Sequence, residues 1–445
     1  MHVHRAAADQ GHAHALHFLR RLFFISQPDG GRDTAQHFPP LQPARQLRRQ
    51  RPARDKQGRT LVGRPDLAGG QAVSSPNRVL IAAGGTGGHF YPGLVLAQAL
   101  RGRGWEPLML LRANDPAAAR LESEGVASAE IDLRGLSRRP GPDWAVFAWK
   151  LAKALGRCSR ILRDFEPRVV VGMGGYLTFP AVLAARLRGA PCAVHESNAI
   201  LGLANRASVA LGAALFRGLP PAGKEPAGLL TGTPVRPTLY AAGDPAQARL
   251  RLGLDPAAAT VLVFGGSQGA QGINGTAPRA LAQAARACPE GLQVLHLAGV
   301  KTAAVVTAAY AAEAAPGLRV KVEPYLDAMD LAYAAADLVV CRAGASTIAE
   351  LACQRKPAIL VPYPHATGRH QDANARLLVE AGAARLVSEE LLAFRLAGEL
   401  SDLLSSEKAH QRRAGMSAAY GRLGLPIGEQ VVGRLADAVE AVCRT

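Results

Sequence analysis

The 445-residue chain has little of what a disulfide scaffold, a metal protein or a membrane span requires. Its six cysteines (Cys158, Cys192, Cys288, Cys341, Cys353, Cys443) are scattered, with no C-x-x-C pair. That spacing excludes a disulfide framework and a structural zinc site, and it suits a reducing compartment. No uninterrupted apolar run reaches the roughly 18–20 residues that cross a bilayer, so no spanning helix is expected. There is no D-x-D and no histidine–carboxylate cluster at metal-ligand spacing, so neither metal nor cofactor is expected. A P-loop is missing too, because no Lys-Ser or Lys-Thr follows the glycines. In "GGTGGHF", Phe90 stands where a dinucleotide fingerprint needs its third glycine.

Acidic residues are also in deficit, 35 against 52 Lys and Arg, for a net charge of +17. Such a balance favours an anionic partner: nucleic acid, lipid headgroups or a phosphorylated substrate. Residues 1–78 hold 13 Lys/Arg against 5 Asp/Glu, so about half of the excess is local. Residues 1–77 are rich in His, Arg, Gln and Pro, lack periodicity, and are expected to form no core. Arg20-Arg21 resemble a twin-arginine signal, but the apolar stretch ends within about five residues, short of the roughly 7–15 that export needs. Two readings of this extension stand: translated upstream sequence with a start near Val73, or a basic anchoring arm. On the first, a chain beginning at Val73 keeps full activity.

What is present is a repeated pattern. An apolar fraction of 48% and a length of 445 residues point to a globular protein of two domains. From Arg78 onward, short apolar runs (79–83, 169–172, 192–195, 261–264, 294–297, 338–341, 359–361) alternate with Ala-rich segments. They are apolar throughout rather than alternating, as strands of a parallel sheet covered on both faces must be. Helices are expected over 94–103, 181–188, 277–287 and 347–354. A Pro- and Gly-rich break near "GTPVRPTLYAAGDPAQAR" divides the series, and "TVLVFGGSQGAQGIN" then repeats the opening strand–glycine turn–helix. The expected architecture is α/β: two Rossmann-like, doubly wound domains facing a cleft, over 78–238 and 239–445. The last helix is expected to pack back on the first domain.

Both glycine turns suit an anion, which bare backbone amides and a helix N-terminus can approach closely. A third such turn is "CRAGASTIAELA". Ser346 or Thr347 is placed to cap the helix there, and Glu350 falls in its first turn on this reading. Amides for phosphate beside a carboxylate for ribose hydroxyls belong together in a nucleotide site. "PYPHATGRHQDANA" adds a polar loop suited to a hydroxyl-rich ligand.

These residues resemble the MurG family of bacterial glycosyltransferases, from about Arg78 to the C-terminus. The resemblance rests on "GGTGGH" (84–89), "GMGGY" (172–176), "HESN" (195–198), "GTPVR" (232–236), "GGSQGA" (265–270), "RAGASTIAE" (342–350) and the 365–374 loop, in that order. It implies a two-domain fold of the GT-B type and inverting, metal-independent transfer of N-acetylglucosamine from UDP-N-acetylglucosamine to a lipid-linked acceptor (lipid I) in peptidoglycan synthesis. It implies donor contacts at Arg236, Ser267, Gln268 and Leu326. Ala345, Ser346, Thr347, Ile348, Ala349 and Glu350 would wrap the diphosphate and ribose, Gln371 and Asn198 would hold the sugar, and Thr86, Gly87 and Gly88 would approach the diphosphate. Tyr176 and His195 fall on the acceptor side. Two positions depart from the family's pattern: Ser197 where Gln is usual, and Thr233 where Asn is usual.

Inverting transfer needs a base for the acceptor hydroxyl. His89, just past the glycines, is one candidate, because its unperturbed pKa of about 6.5 suits proton transfer near neutrality; Glu196 is the other. In "LSRRPGPDWAVFAWKLAKALGR", Trp144, Phe147, Lys150 and Leu151 mark an amphipathic helix with basic flanks (Arg138, Arg139). Docking on an anionic membrane surface and packing on the core both fit that pattern. The resemblance implies the cytoplasmic face of the bacterial inner membrane. A related enzyme using another sugar or acceptor is the first alternative. A nucleic-acid partner is disfavoured, since no aromatic–basic RNA motif occurs and the glycine turns have no role in it.

Overall fold

Strand β1 (Asn77–Ala82) shows why the first sheet forms where it does. Val79, Leu80, Ile81 and Ala82 are all wholly buried, and alternate side chains enter different apolar clusters on the two faces. A strand covered on both sides tolerates no polar face, which accounts for its unbroken apolar run. The computed structural model describes residues 77–84, 87–133, 143–266, 268–288, 291–405 and 407–444.

The first half continues through α1 (Gly87–Gly102), β2 (Trp105–Arg112), α2 (Ala117–Ser123), β3 (Ala127–Ile131), α3 (Asp143–Phe165) and β4 (Val169–Gly172). It then runs through α4 (Thr178–Leu187), β5 (Cys192–Glu196), α5 (Leu203–Ala210), β6 (Ala214–Arg217) and β7 (Leu229–Leu230). The strands lie in the order β3-β2-β1-β4-β5-β6-β7, all parallel.

The second half holds α6 (Pro245–Arg251), β8 (Ala259–Phe264), α7 (Gln271–Arg286), β9 (Leu292–Leu297), α8 (Ala303–Ala312), β10 (Leu318–Glu323) and α9 (Met329–Ala335). After these come β11 (Leu338–Cys341), α10 (Ala345–Gln354), β12 (Ala358–Leu360), α11 (His370–Glu380), β13 (Ala384–Leu386), α12 (Leu392–Leu404) and α13 (Ala409–Ala419). Its sheet runs β10-β9-β8-β11-β12-β13, again parallel. The last helix, α14 (Glu429–Val442), returns to the first sheet: Leu435, Ala436, Ala438 and Val439 join the cluster under β1. There Trp105 Nε1 donates to Glu440 at 3.2 Å.

Both sheets thus change winding direction between their first and fourth strands, at β1/β4 and at β8/β11. Ligands of such sheets sit beyond the carboxyl ends of the strands at that point. The segments leaving β1, β4, β8 and β11 are the four glycine-bearing motifs, so topology gathers them.

Several helices start earlier than their patterns predict. Helix α1 begins at Gly87 rather than 94, α4 at Thr178, α7 at Gln271 and α10 at Ala345. Glycine lowers helix propensity by only about 1 kcal/mol, which packing overrides. Consequently Gly87, Gly88 and His89 are the first turn of a helix and not part of a loop. Pro92 lies inside the same helix; lacking an N–H, it leaves the Gly88 carbonyl without its usual partner four residues on.

Candidate active site

His89 lies on the backbone of the "GMGGY" turn. Gly174 and Gly175 have φ of +100° and +73°, and a methyl on Gly174 would come within 2.8 Å of the His89 ring. Only glycine accepts both that conformation and that contact. The imidazole is half-buried, and its Nδ1 is buried without a hydrogen bond of normal geometry. Burial holds its pKa below 6.5, opposed by the Glu196 carboxylate and the Met173 carbonyl, while His370 adds to the lowering. At neutral pH it is a free base with a carboxylate near enough to stabilise its charged form.

Glu196 is bound on both oxygens. Oε1 accepts from the Asn198 backbone and side-chain amides, each at 3.0 Å; Oε2 accepts from Gly202 N (2.8 Å) and Asn205 Nδ2 (3.0 Å). It is 3% exposed, so it organises the loop after β5 and offers no open lone pair to a substrate. His195, expected on the acceptor side of the cleft, is wholly buried. Its Nε2 donates to the Gly232 carbonyl at 2.9 Å, and Ser197 Oγ therefore donates to its Nδ1. Tyr176 is half-buried against the apolar cluster beneath β1 and β4.

Across the cleft, Glu350 is in the second turn of α10, not the first as expected, because Gly344 is the N-cap and the helix opens at Ala345. It does not serve as a capping carboxylate. Tyr333 Oη donates to it at 2.9 Å, and Arg236 Nη2 stands 3.9 Å away. Burial raises its pKa, against the pull of Arg236 and Tyr333. Ser346 and Thr347 make no cap; Ser346 Oγ instead points at the Gly88 carbonyl that Pro92 leaves free, at 3.5 Å. Ala345 and Ala349 stay partly exposed, whereas Ile348 is fully buried and contributes backbone only. Leu326 packs partly buried on the second core, and Gln371 accepts from Tyr363 N at 2.9 Å.

The "GGSQGA" turn rests on a buried network. His296 Nε2 donates to Asn274 Oδ1 at 3.2 Å, and Asn274 Nδ2 donates to the Ala298 carbonyl at 2.8 Å. Gly269, at φ +77°, lies so close to that carbonyl that a methyl would meet it at 2.2 Å. Gln268 is exposed at the tip, and Ser267 and Thr86 fall outside the described residues. Ser197 and Thr233, the two departures from the family's pattern, are neighbours: a methyl on Gly218 would meet Thr233 Oγ1 at 1.9 Å and Ser197 Cα at 3.0 Å. They share one packing space beneath the cleft.

Helix α3 corrects the expected membrane stripe. Phe147 and Leu151 pack inward on the apolar cluster, and Lys150 pairs with Asp132 at 3.3 Å. The outward apolar side chains are Val146 and Trp149, with Lys153 Nζ 3.7 Å from the Trp149 ring centroid. The Trp144 side chain, Arg138 and Arg139 lie outside the described residues. Among the described residues no helix is long and apolar enough to cross a membrane.

Sequence reasoning missed Tyr333 and Asn205; Asn374 was read as one polar residue of the 365–374 loop, without its bonds to Asn198, Ala199 and Ala343. Asn205 lies seven residues past the HESN motif, and Tyr333 gave no signal, since its partner Glu350 lies on another element.

Residues 79–214 match the glycosyltransferase family 28 N-terminal domain, and residues 260–422 match its C-terminal domain. The chain is 39% identical over 346 residues to the UDP-N-acetylglucosamine--N-acetylmuramyl-(pentapeptide) pyrophosphoryl-undecaprenol N-acetylglucosamine transferase of Burkholderia thailandensis, covering 76% of this chain and 92% of that protein. The protein of the same name from Bordetella pertussis is 37% identical over 374 residues, 84% of this chain and 99% of its own. The crystal structure of Acinetobacter baumannii MurG aligns with TM-score 0.65 and 27% identity, over 82% of this chain and 100% of that one. The glycotransferase of kitacinnamycin, at TM-score 0.58 and 19% identity, shares the fold.

The buried imidazoles give a pH prediction. His89, His195 and His296 are all held below 6.5, by burial first in each case, and His296 is lowered to about 4. The unfolded chain binds protons near 6.5 that these folded groups refuse. Their contribution to stability is therefore whole above about pH 6.5 and is lost as pH falls below it, for His296 down to about 4. Unfolding free energy should drop by up to about 1.4 kcal/mol per pH unit for each histidine. Urea titrations between about pH 7 and 5 check this; stability that is flat or rises on acidification contradicts it.

Proposed function

The chain belongs to glycosyltransferase family 28, and on that premise we propose that it transfers N-acetylglucosamine from UDP-N-acetylglucosamine to undecaprenyl-pyrophosphoryl-N-acetylmuramyl-pentapeptide, forming lipid II for peptidoglycan. The observation that carries the site assignment is the pairing of Arg236 with Glu350, in the second turn of α10, opposite the helix whose first turn holds His89. A carboxylate for ribose hydroxyls, beside free helix amides for a diphosphate, is the chemistry of a nucleoside-diphosphate sugar.

In this reading Ala345, Ser346, Thr347, Ala349 and Glu350 hold the nucleotide, with Arg236, Leu326 and the "GGSQGA" turn around it. Asn198 and Gln371 face the sugar. The acceptor hydroxyl loses its proton to the neutral His89 imidazole as its oxygen attacks the anomeric carbon, and Glu196 stabilises the imidazolium that forms. The bond to UDP breaks, and the charge on the leaving diphosphate is met by helix N-termini and Arg236. Glu196, with both oxygens occupied, suits this supporting role better than that of the base.

The outer face of α3 is proposed to rest on an anionic membrane surface at the cytoplasmic side, where the acceptor's lipid lies. Val146 and Trp149 are more than half exposed, and Lys153, Arg157 and Arg160 are exposed along the same helix. Apolar and aromatic side chains flanked by cations bind such surfaces.

His89→Ala should lower kcat by roughly 10²–10⁴ while the donor dissociation constant stays put. Glu350→Gln should instead weaken donor binding by about tenfold or more, since hydrogen bonds to a charged group contribute about 1.5–3 kcal/mol each. A full-rate His89→Ala enzyme removes that residue from the chemistry, and unchanged donor affinity in Glu350→Gln removes Glu350 from the donor site. For the membrane face, Val146→Ser with Trp149→Ser should reduce sedimentation with anionic vesicles several-fold and leave donor binding intact. Undiminished vesicle binding would place the docking surface elsewhere.

A further inference from the structure

Tyr91 stands two residues after His89 on α1; it packs partly buried on the cluster beneath β1 and edge-on against Phe90, and it also reaches Arg236 and Tyr325. The Arg236 guanidinium carbon lies 5.3 Å from its ring centroid. That guanidinium also donates to the Asp327 carbonyl at 2.9 Å and approaches Glu350 to 3.9 Å. Tyr91 also lies close to Tyr325, whose hydroxyl donates to Asp327 Oδ1 at 3.2 Å. One turn of one helix therefore touches both the arginine beside Glu350 and the segment that carries Leu326. The Gly88 carbonyl and Ser346 meet beside it.

Arginine loses side-chain entropy, on the order of 2 kcal/mol, when it is held in one rotamer. An aromatic face beneath a partly desolvated guanidinium holds that rotamer before any ligand binds. We propose that Tyr91 is a positioning residue for the sugar-nucleotide donor: its ring holds Arg236 toward Glu350, and donor affinity is thereby set in part from the helix that bears His89. This rests on the reading of Arg236 and Glu350 as donor contacts. It adds a coupling: the helix that bears His89 is aligned by the same contacts that shape the donor site.

The test is calorimetry with UDP-N-acetylglucosamine, together with KM for each substrate, on the wild type, Tyr91→Phe, Tyr91→Leu and Tyr91→Ala. Tyr91→Ala and Tyr91→Leu should raise the donor dissociation constant and KM about 3- to 30-fold, with the acceptor KM unchanged. Tyr91→Phe keeps the ring and should recover to within about threefold of wild type. In an Arg236→Ala background, Tyr91→Ala should add nothing further to the loss of donor affinity. Wild-type donor affinity in folded Tyr91→Ala or Tyr91→Leu, or additive losses with Arg236→Ala, overturns the role of Tyr91 and leaves the donor site standing. A wild-type protein that does not bind the donor overturns both.

Discussion

The cleft depends on one buried amide. Asn374, on α11, is wholly buried; its Oδ1 accepts from Ala199 N at 2.9 Å, and its Nδ2 donates to Asn198 Oδ1 at 3.0 Å and to the Ala343 carbonyl at 3.1 Å. The first two partners lie just after β5 and the third just after β11. An unpaired buried polar group costs about 1–3 kcal/mol, so the two halves settle in the placement that satisfies all three bonds. The contact propagates. Asn198 also donates twice to Glu196, Glu196 sets the charge environment of His89, and Ala343 is two residues before α10.

Given that tie, the rest follows from sheet topology. Two parallel sheets, each with its winding switch between first and fourth strands, point helix N-termini and bare turns into the same space. The proposed transfer needs a place for a leaving diphosphate and a base for a hydroxyl, and both are proposed to lie in that space. The supporting glycines are matched to particular neighbours. Gly174 and Gly175 seat an imidazole, and Gly269 presses against a carbonyl that Asn274 also binds.

Seven interior strands were legible in the sequence because burial on both faces leaves an unbroken apolar run. Interior β2 (WEPLMLLR), broken by the exposed Glu106 and by Pro107, and interior β6 (ALFR), four residues ending in arginine, were not read, and neither were the outer strands. β3 (ASAEI) and β10 (LRVKVE) are at sheet edges, where exposed and half-buried residues break the pattern. Helix starts were read too late wherever glycines precede the apolar stripe, since propensity yields there to packing. For α3 the helical period was visible, but periodicity cannot say which stripe meets the core; Phe147 and Leu151 turned inward and Val146 and Trp149 outward. His89 and Glu350 were legible as candidates because each adjoins a glycine turn suited to an anion. Tyr91, Tyr333 and Asn374 act through partners on other elements, and nothing in their local sequence names those partners.

Sugar transfer is proposed to run on amides, helix dipoles and Arg236 in place of a metal clamp. The most direct measurement is the initial rate of transfer from UDP-N-acetylglucosamine to the undecaprenyl-linked muramyl-pentapeptide acceptor, with excess EDTA and without, with the linkage of the product determined. The expected result is a β-linked disaccharide on the lipid at the same rate in both. A rate that collapses in EDTA and returns with magnesium or manganese, or an α-linked product, would contradict it.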